Sequence, residues 1–153
     1  MGIYSSINIA GTALSANRVR LDVIADNMAN ASSTRTPEGG AFKRSRVIMR
    51  PMVESPYWRS PFLPNSLDNG LGKGVRVAEI KKDRTTEPRY VYDPEHPDAL
   101  LSGPREGYVE MPNVDVVTEM VDMISASRAY EANAAVIEGA KSMFQRALDI
   151  GAR

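Results

Sequence analysis

The chain has 153 residues, room for one domain or two small ones with a modest core. Its 19 basic and 19 acidic side chains cancel, so net charge steers it toward neither nucleic acid nor anionic lipid. Cysteine is absent, which excludes disulfides, thiolate nucleophiles and cysteine metal sites together, and no apolar run approaches the roughly 20 residues of a membrane-spanning helix.

The first element is a helix within residues 1–30. Ile3, Ile7, Ala10, Leu14, Asn17, Leu21, Ile24 and Met28 follow a strict 4-3 spacing, one face of a helix, with Asn17 its one polar member. The opposite face carries no charge before Arg18 and is filled by Ser5, Ser6, Asn8, Thr12 and Ser15. Solvated helix faces are normally rich in Lys and Glu, whereas neutral polar groups are buried at less cost once hydrogen-bonded. Gly11 costs about 1 kcal/mol against alanine, recoverable where another backbone comes close. This flank reads as a helix built to be surrounded, and its weak propensity predicts disorder when alone. The chain start lacks the basic-then-apolar layout of a secretory signal, so cleaved secretion is not expected. "MGIYSS" matches only the loose myristoylation pattern, through Gly2 and Ser6.

Residues 31–112 hold all ten prolines and seven of the eleven glycines, which argues against long helices there. "FKRSRVIMR" (42–50), "GVRVAEIKK" (74–82), "RYVYD" (89–93) and "GYVEM" (107–111) are the strand candidates. "PMVESPYWRSPFLPNSLDNGLGKG" (51–74), with four prolines and three glycines, reads as a long loop.

The third part, 113–153, predicts one long helix packing with 1–30. Pro112 ends the extended run, and Asn113 or Asp115 can cap the first free N–H groups. Val116, Met120, Met123, Ser127, Tyr130, Ala134, Ile137, Lys141, Phe144 and Leu148 again step by four and three, close to the 3.5-residue period of coiled coils. A helix from Val114 to Ile150 would span roughly 55 Å. A compact domain of this size has a radius of gyration of about 15 Å. Such a helix outruns its own globule unless it kinks or another chain buries its stripe. The fold class is therefore mainly α, two terminal helices pairing as a coiled-coil-like bundle around a small β-rich insert.

No catalytic constellation emerges. The single histidine, His96 in "DPEHPDA", would have to serve any Ser-His-Asp site, or bind metal beside Asp93, Glu95 or Asp98, and a Pro/Asp-rich turn looks the same without function. "TRTPEGG" (34–40) and "GLGKG" (70–74) lack the Lys-Ser/Thr ending of a phosphate loop. Lys43, Arg44, Arg46 and Arg50 could touch phosphates, but a strand edge guarded by charge is the plainer account. No cofactor or metal is expected.

Two long stretches resemble a known family. "ALSANRVRLDVIADNMANASSTRTPEGGAFKR" (13–44) is similar to the N-terminal signature of bacterial flagellar rod, hook and related axial proteins, and "GYVEMPNVDVVTEMVDMISASRAYEANAAVIEGAKSM" (107–143) to their C-terminal signature. "TRTPEGG" and "VYDPEHPDA" narrow the resemblance to the proximal rod, while 51–73 and "LLSGPRE" (100–106) stand outside it. The resemblance implies a non-enzymatic structural subunit whose helices stack with those of neighbours into a tube crossing the periplasm and transmitting motor torque. It implies as partners further copies of the chain, the rod proteins FlgB, FlgF, FlgG and FliE, and the flagellar type III export apparatus, with delivery unfolded and without a cleaved signal. No nucleic acid, small-molecule substrate or membrane insertion is implied.

On that reading the assembly interface would use Ile7, Leu14, Asn17, Leu21, Ile24 and Met28 from the first stripe. From the second it would use Val116, Met120, Met123, Tyr130, Asn133, Ile137, Phe144 and Leu148, with Asn17 and Asn133 setting register as lone polar groups on apolar seams. Two other classes stay open at this point. A soluble coiled-coil adaptor would bind one partner helix as a discrete small oligomer. A nucleic-acid module using 43–50 would lose affinity steeply with salt.

Overall fold

The computed structural model describes residues 3–52 and 73–151. Helix α1 (Ile3–Ala29) is followed by strands β1 (Ser45–Pro51), β2 (Val75–Lys82), β3 (Arg89–Tyr92) and β4 (Tyr108–Met111), and then by helix α2 (Val116–Gly151). β1 pairs with β2, and β3 with β4. The protein is mainly helical with a small β insert. All four strand candidates form strands, each where β-branched or aromatic residues cluster between turn residues. Most of the 51–74 stretch lies outside the described residues, but its two ends meet: the Met52 amide donates to the Gly74 carbonyl at 2.9 Å.

Helix boundaries follow local chemistry. α1 stops at Asn30, whose backbone N–H donates to the Asp26 carbonyl at 3.1 Å while its side-chain amide donates to the same oxygen at 3.0 Å. α2 starts at Asp115, of the two candidate caps. One Asp115 carboxylate oxygen accepts the Val117 N–H at 3.1 Å, the other accepts the Thr118 hydroxyl at 2.7 Å, and together they hold its carboxyl below the ordinary aspartate range, the hydroxyl contributing most.

The chain segments group into two units. One comprises Met1–Val19, Ile48–Glu79 and Ala126–Arg153. Its buried apolar side chains are Ala10, Ala16, Ala126 and Ala140, and Tyr4 meets Phe144 edge-on at 6.2 Å. Here Thr12 holds the start of β2 to α1. Its hydroxyl donates to the Ile9 carbonyl at 2.7 Å and accepts the Val75 N–H at 3.1 Å. Gly74, at φ 102°, lies so near Thr12 that a Cβ would overlap the threonine hydroxyl.

The second unit comprises Arg20–Val47 and Ile80–Ser125, with Ile24, Ala41 and Val109 as its buried apolar side chains. β3 and β4 are antiparallel, Arg89 opposite Met111 and Tyr92 opposite Tyr108, and the last pair stacks edge-on at 5.2 Å. The "EGG" turn needs its glycines, since Gly39 and Gly40 both adopt positive φ (86° and 74°) so that the Thr36 N–H can reach the Gly40 carbonyl at 3.0 Å.

Candidate assembly interface

The largest polar arrangement lies in the second unit and joins α1, β1 and α2. Asn27 is buried, and its side-chain amide grips the first residue of β1 from both sides: Oδ1 accepts the Ser45 N–H at 2.8 Å and Nδ2 donates to the Ser45 carbonyl at 2.9 Å. The amide therefore stands in for a neighbouring strand. Nδ2 also donates to Glu119 Oε2 at 3.2 Å, across 92 positions of sequence. Glu119 is 1% exposed, and its Oε1 accepts both Nε and Nη2 of Arg44 at 2.5 Å. Arg44 extends to Asp122 at 3.4 Å, and Arg20 reaches that carboxylate at 3.5 Å from a more solvated position. A carboxylate this buried is tolerated because both of its oxygens are used and its charge is matched.

This cluster accounts for the basic run at 43–50 differently from a phosphate-binding patch. Arg44 turns inward onto carboxylates, leaving Lys43, Arg46 and Arg50 exposed around the strand. His96 is engaged locally, its Nδ1 accepting the Asp98 N–H at 3.1 Å within the turn.

The anticipated interface residues fall into two groups. On α1, Ile24 is buried, and Ile7, Leu14, Asn17, Leu21 and Met28 are half-buried. On α2, Met123, Asn133 and Ile137 are half-buried, whereas Val116, Met120, Tyr130, Phe144 and Leu148 are exposed. Asn133 spends its amide on its own helix, donating to the Ala129 carbonyl at 2.7 Å. What the chain itself buries along α2 runs instead through Glu119, Ala126 and Ala140, small or polar residues that a search for large apolar ones passes over. Asn27 and Glu119 were missed for that reason. Their faint signal is position: each falls in helical step with buried neighbours, Asn27 three after Ile24 and Glu119 seven before Ala126.

The core is thin and the surface apolar. Among the described residues, five of the seven buried apolar side chains are alanine (10, 16, 41, 126 and 140). Seventeen large apolar or aromatic residues among those described are exposed, and eleven of them lie on α2. Toward the start of that helix they are Val116, Val117, Met120, Val121 and Ile124, and toward its end Met143, Phe144, Leu148 and Ile150. Every residue from Lys141 to Gly151 is exposed. Monomeric proteins rarely leave so much apolar surface in one place unless something covers it. No helix among the described residues is long and apolar enough to cross a membrane.

Helices at both ends around a β insert, with large apolar side chains left exposed along α2, fit a structural subunit. Two family models match it at those ends: flagella basal body rod protein over residues 7–35, and flagellar basal body rod FlgEFG protein C-terminal over residues 105–150. Over nearly its whole length the chain is similar to flagellar basal-body rod proteins FlgC. It is 59% identical to that of Borreliella burgdorferi (98% of each chain covered), 38% to that of Bacillus subtilis and 37% to that of Escherichia coli O157:H7 (99% of each chain in both cases). The chain belongs to the FlgC family of flagellar basal-body rod proteins, and it is a structural subunit of that rod. That family is one of structural proteins and not of enzymes.

Proposed function

We propose that α1 and α2 pair as a coiled-coil-like bundle and stack with the helices of neighbouring subunits, so that the rod wall supplies the burial the single chain lacks. The observation that carries this is the exposed apolar surface of α2, where eleven of the seventeen exposed large apolar residues among those described lie. Non-closing contacts between identical or similar surfaces generate a helical tube, the form required of a shaft crossing the periplasm and transmitting torque. In this reading the neighbours are further copies and the rod proteins FlgB, FlgF, FlgG and FliE. The chain reaches them unfolded through the flagellar type III apparatus without a cleaved signal. Gly11 fits the same picture, since an added Cβ there would meet no atom within 4 Å among the described residues, leaving room for a neighbour's backbone.

The test uses side chains that the subunit's own fold does not need. Met143 and Val121 are 58% and 61% exposed, so Met143→Asp and Val121→Asp should leave the helicity of the purified chain intact. In cells each should give basal bodies arrested at the proximal rod and no swimming, because a carboxylate in a dry seam costs several kcal/mol. Glu138→Ala, exposed and polar, is the control and should swim. Half-buried Ile137 is a poorer probe, because aspartate there would also disturb the subunit itself. Normal flagella in both aspartate variants would rule the proposal out.

A further inference from the structure

We infer that Asn27, Arg44 and Glu119 act together as a positioning device that sets the register of α2 against α1 and β1 in the second unit. This rests on the reading of α2 as the assembly helix. The apolar contacts cannot set that register alone. In the stretch of α2 that belongs to this unit, 116–125, Glu119 is the one buried side chain, and apolar contact around it is non-directional.

The polar cluster discriminates where apolar contact does not. In the observed register Asn27 uses both ends of its amide, and Glu119 uses both carboxylate oxygens. Among the described residues, no buried side-chain nitrogen or oxygen is left without a partner. Any slip removes Glu119 from Arg44 and Asn27 at once, taking from the half-buried guanidinium its main carboxylate, while Asn27 keeps its two bonds to Ser45. Val117, Met120, Val121 and Ile124 all lie within five residues of Glu119. Whatever holds Glu119 therefore fixes where these outward side chains stand, and a displacement of even one turn would move them by about 5.4 Å.

Because the chain has no cysteine, spin labels can be placed uniquely at Ala25→Cys and Ser125→Cys, both exposed and both in this unit. The full chain should give one narrow inter-label distance. The triple variant Asn27→Leu/Arg44→Met/Glu119→Leu replaces the cluster with apolar groups of similar size. It should keep its helicity, with a lower unfolding midpoint because Ser45 loses both its bonds to Asn27, yet show a broadened distance or a second population displaced by about 5 Å or more, and its cells should not swim. A folded triple variant with the narrow distance and normal swimming overturns the inference. Should the triple variant not fold, Asn27→Leu alone decides, because it keeps the Arg44–Glu119 pair: broadening with lost motility supports the device, and an unchanged distance with motility overturns it. Failure here leaves a stripe that still assembles, whereas failure of the stripe itself shows in Met143→Asp, so the two outcomes stay distinguishable.

Discussion

The Val75 amide donates to the hydroxyl of Thr12 at 3.1 Å, and the residue before it, Gly74, is packed so tightly against that side chain that no Cβ fits between them. One uncharged hydroxyl on the first helix thus receives the start of β2, while its own proton goes to the Ile9 carbonyl at 2.7 Å. The neutral outer face of α1 is, at this point, a docking face for the chain's own insert.

Gly74→Ala should therefore destabilise the subunit twice over. The positive φ costs a non-glycine residue about 1–3 kcal/mol, and the overlap with Thr12 adds to that. Urea unfolding should show the loss. Thr12→Ala in the same background should recover part of it by removing the obstructing atoms, so the two changes should be less than additive. Strict additivity would mean that no overlap exists.

Glu119→Ala should be among the most damaging single changes in the second unit. It strips the half-buried Arg44 and the buried Asn27 of their shared acceptor, although Arg44 keeps Asp122 and Asn27 keeps Ser45, so the loss should fall below the roughly 3–5 kcal/mol of a fully buried pair broken on one side. Arg128→Ala, which breaks an exposed 3.9 Å pair with Glu131, should stay within about 0.5 kcal/mol of the parent. Comparable effects from the two would show that Glu119 is solvated in solution.

Acid should loosen the start of α2. The folded carboxyl of Asp115 is held low by the Thr118 hydroxyl and the Val117 N–H. A depressed folded value means that the contribution is complete above the ordinary aspartate range and disappears as pH falls through the depressed one. Glu38, held low chiefly by its hydrogen bond to Lys82, and Asp83, held low first by the Thr86 hydroxyl, act in the same direction. Amide exchange at Val117 and Thr118 should accelerate across that acid window, and in Asp115→Ala it should already be fast at neutral pH. A flat profile in the parent would show that the cap does not form.

Hydrogen exchange along α2 should be graded. Amides around Glu119 and Ala126 lie beside buried side chains and should be protected, whereas those from Lys141 onward lie on a helix exposed on every side and should exchange rapidly in a verified monomer. Uniform protection from 116 to 151 would mean that the end of the helix is stable without neighbours.

Both helices and all four strands could be read from the sequence, because proline-free 4-3 spacing and short β-branched runs are local signals. The cap of α2 was narrowed only to Asn113 or Asp115. The deciding detail was Thr118, three residues after Asp115 and within reach of its second oxygen. The Asn27–Glu119 contact had no local signal, since a polar pair separated by 92 positions imposes no spacing on either segment. The residues of α2 that the chain itself buries had no such signal for a related reason. Large apolar residues mark burial only when the chain buries them itself, and here alanines take the inside while methionine, valine and isoleucine remain outside.

The last three or so turns of α2 have a consequence for when polymer forms. Holding a residue's backbone in one conformation costs about 1–2 kcal/mol, and from Lys141 to Gly151 the chain's own packing offsets little of it. Two copies meeting in dilute solution would each have to order that stretch against a single companion, a poor exchange at low concentration. A growing end presents several companions together, so the same ordering is met by many contacts at once. With neighbours covering α2 as proposed, growth would have a threshold: subunits would stay dispersed until they encounter a template, and the height of that threshold would be set by how much of α2 the chain leaves unpacked.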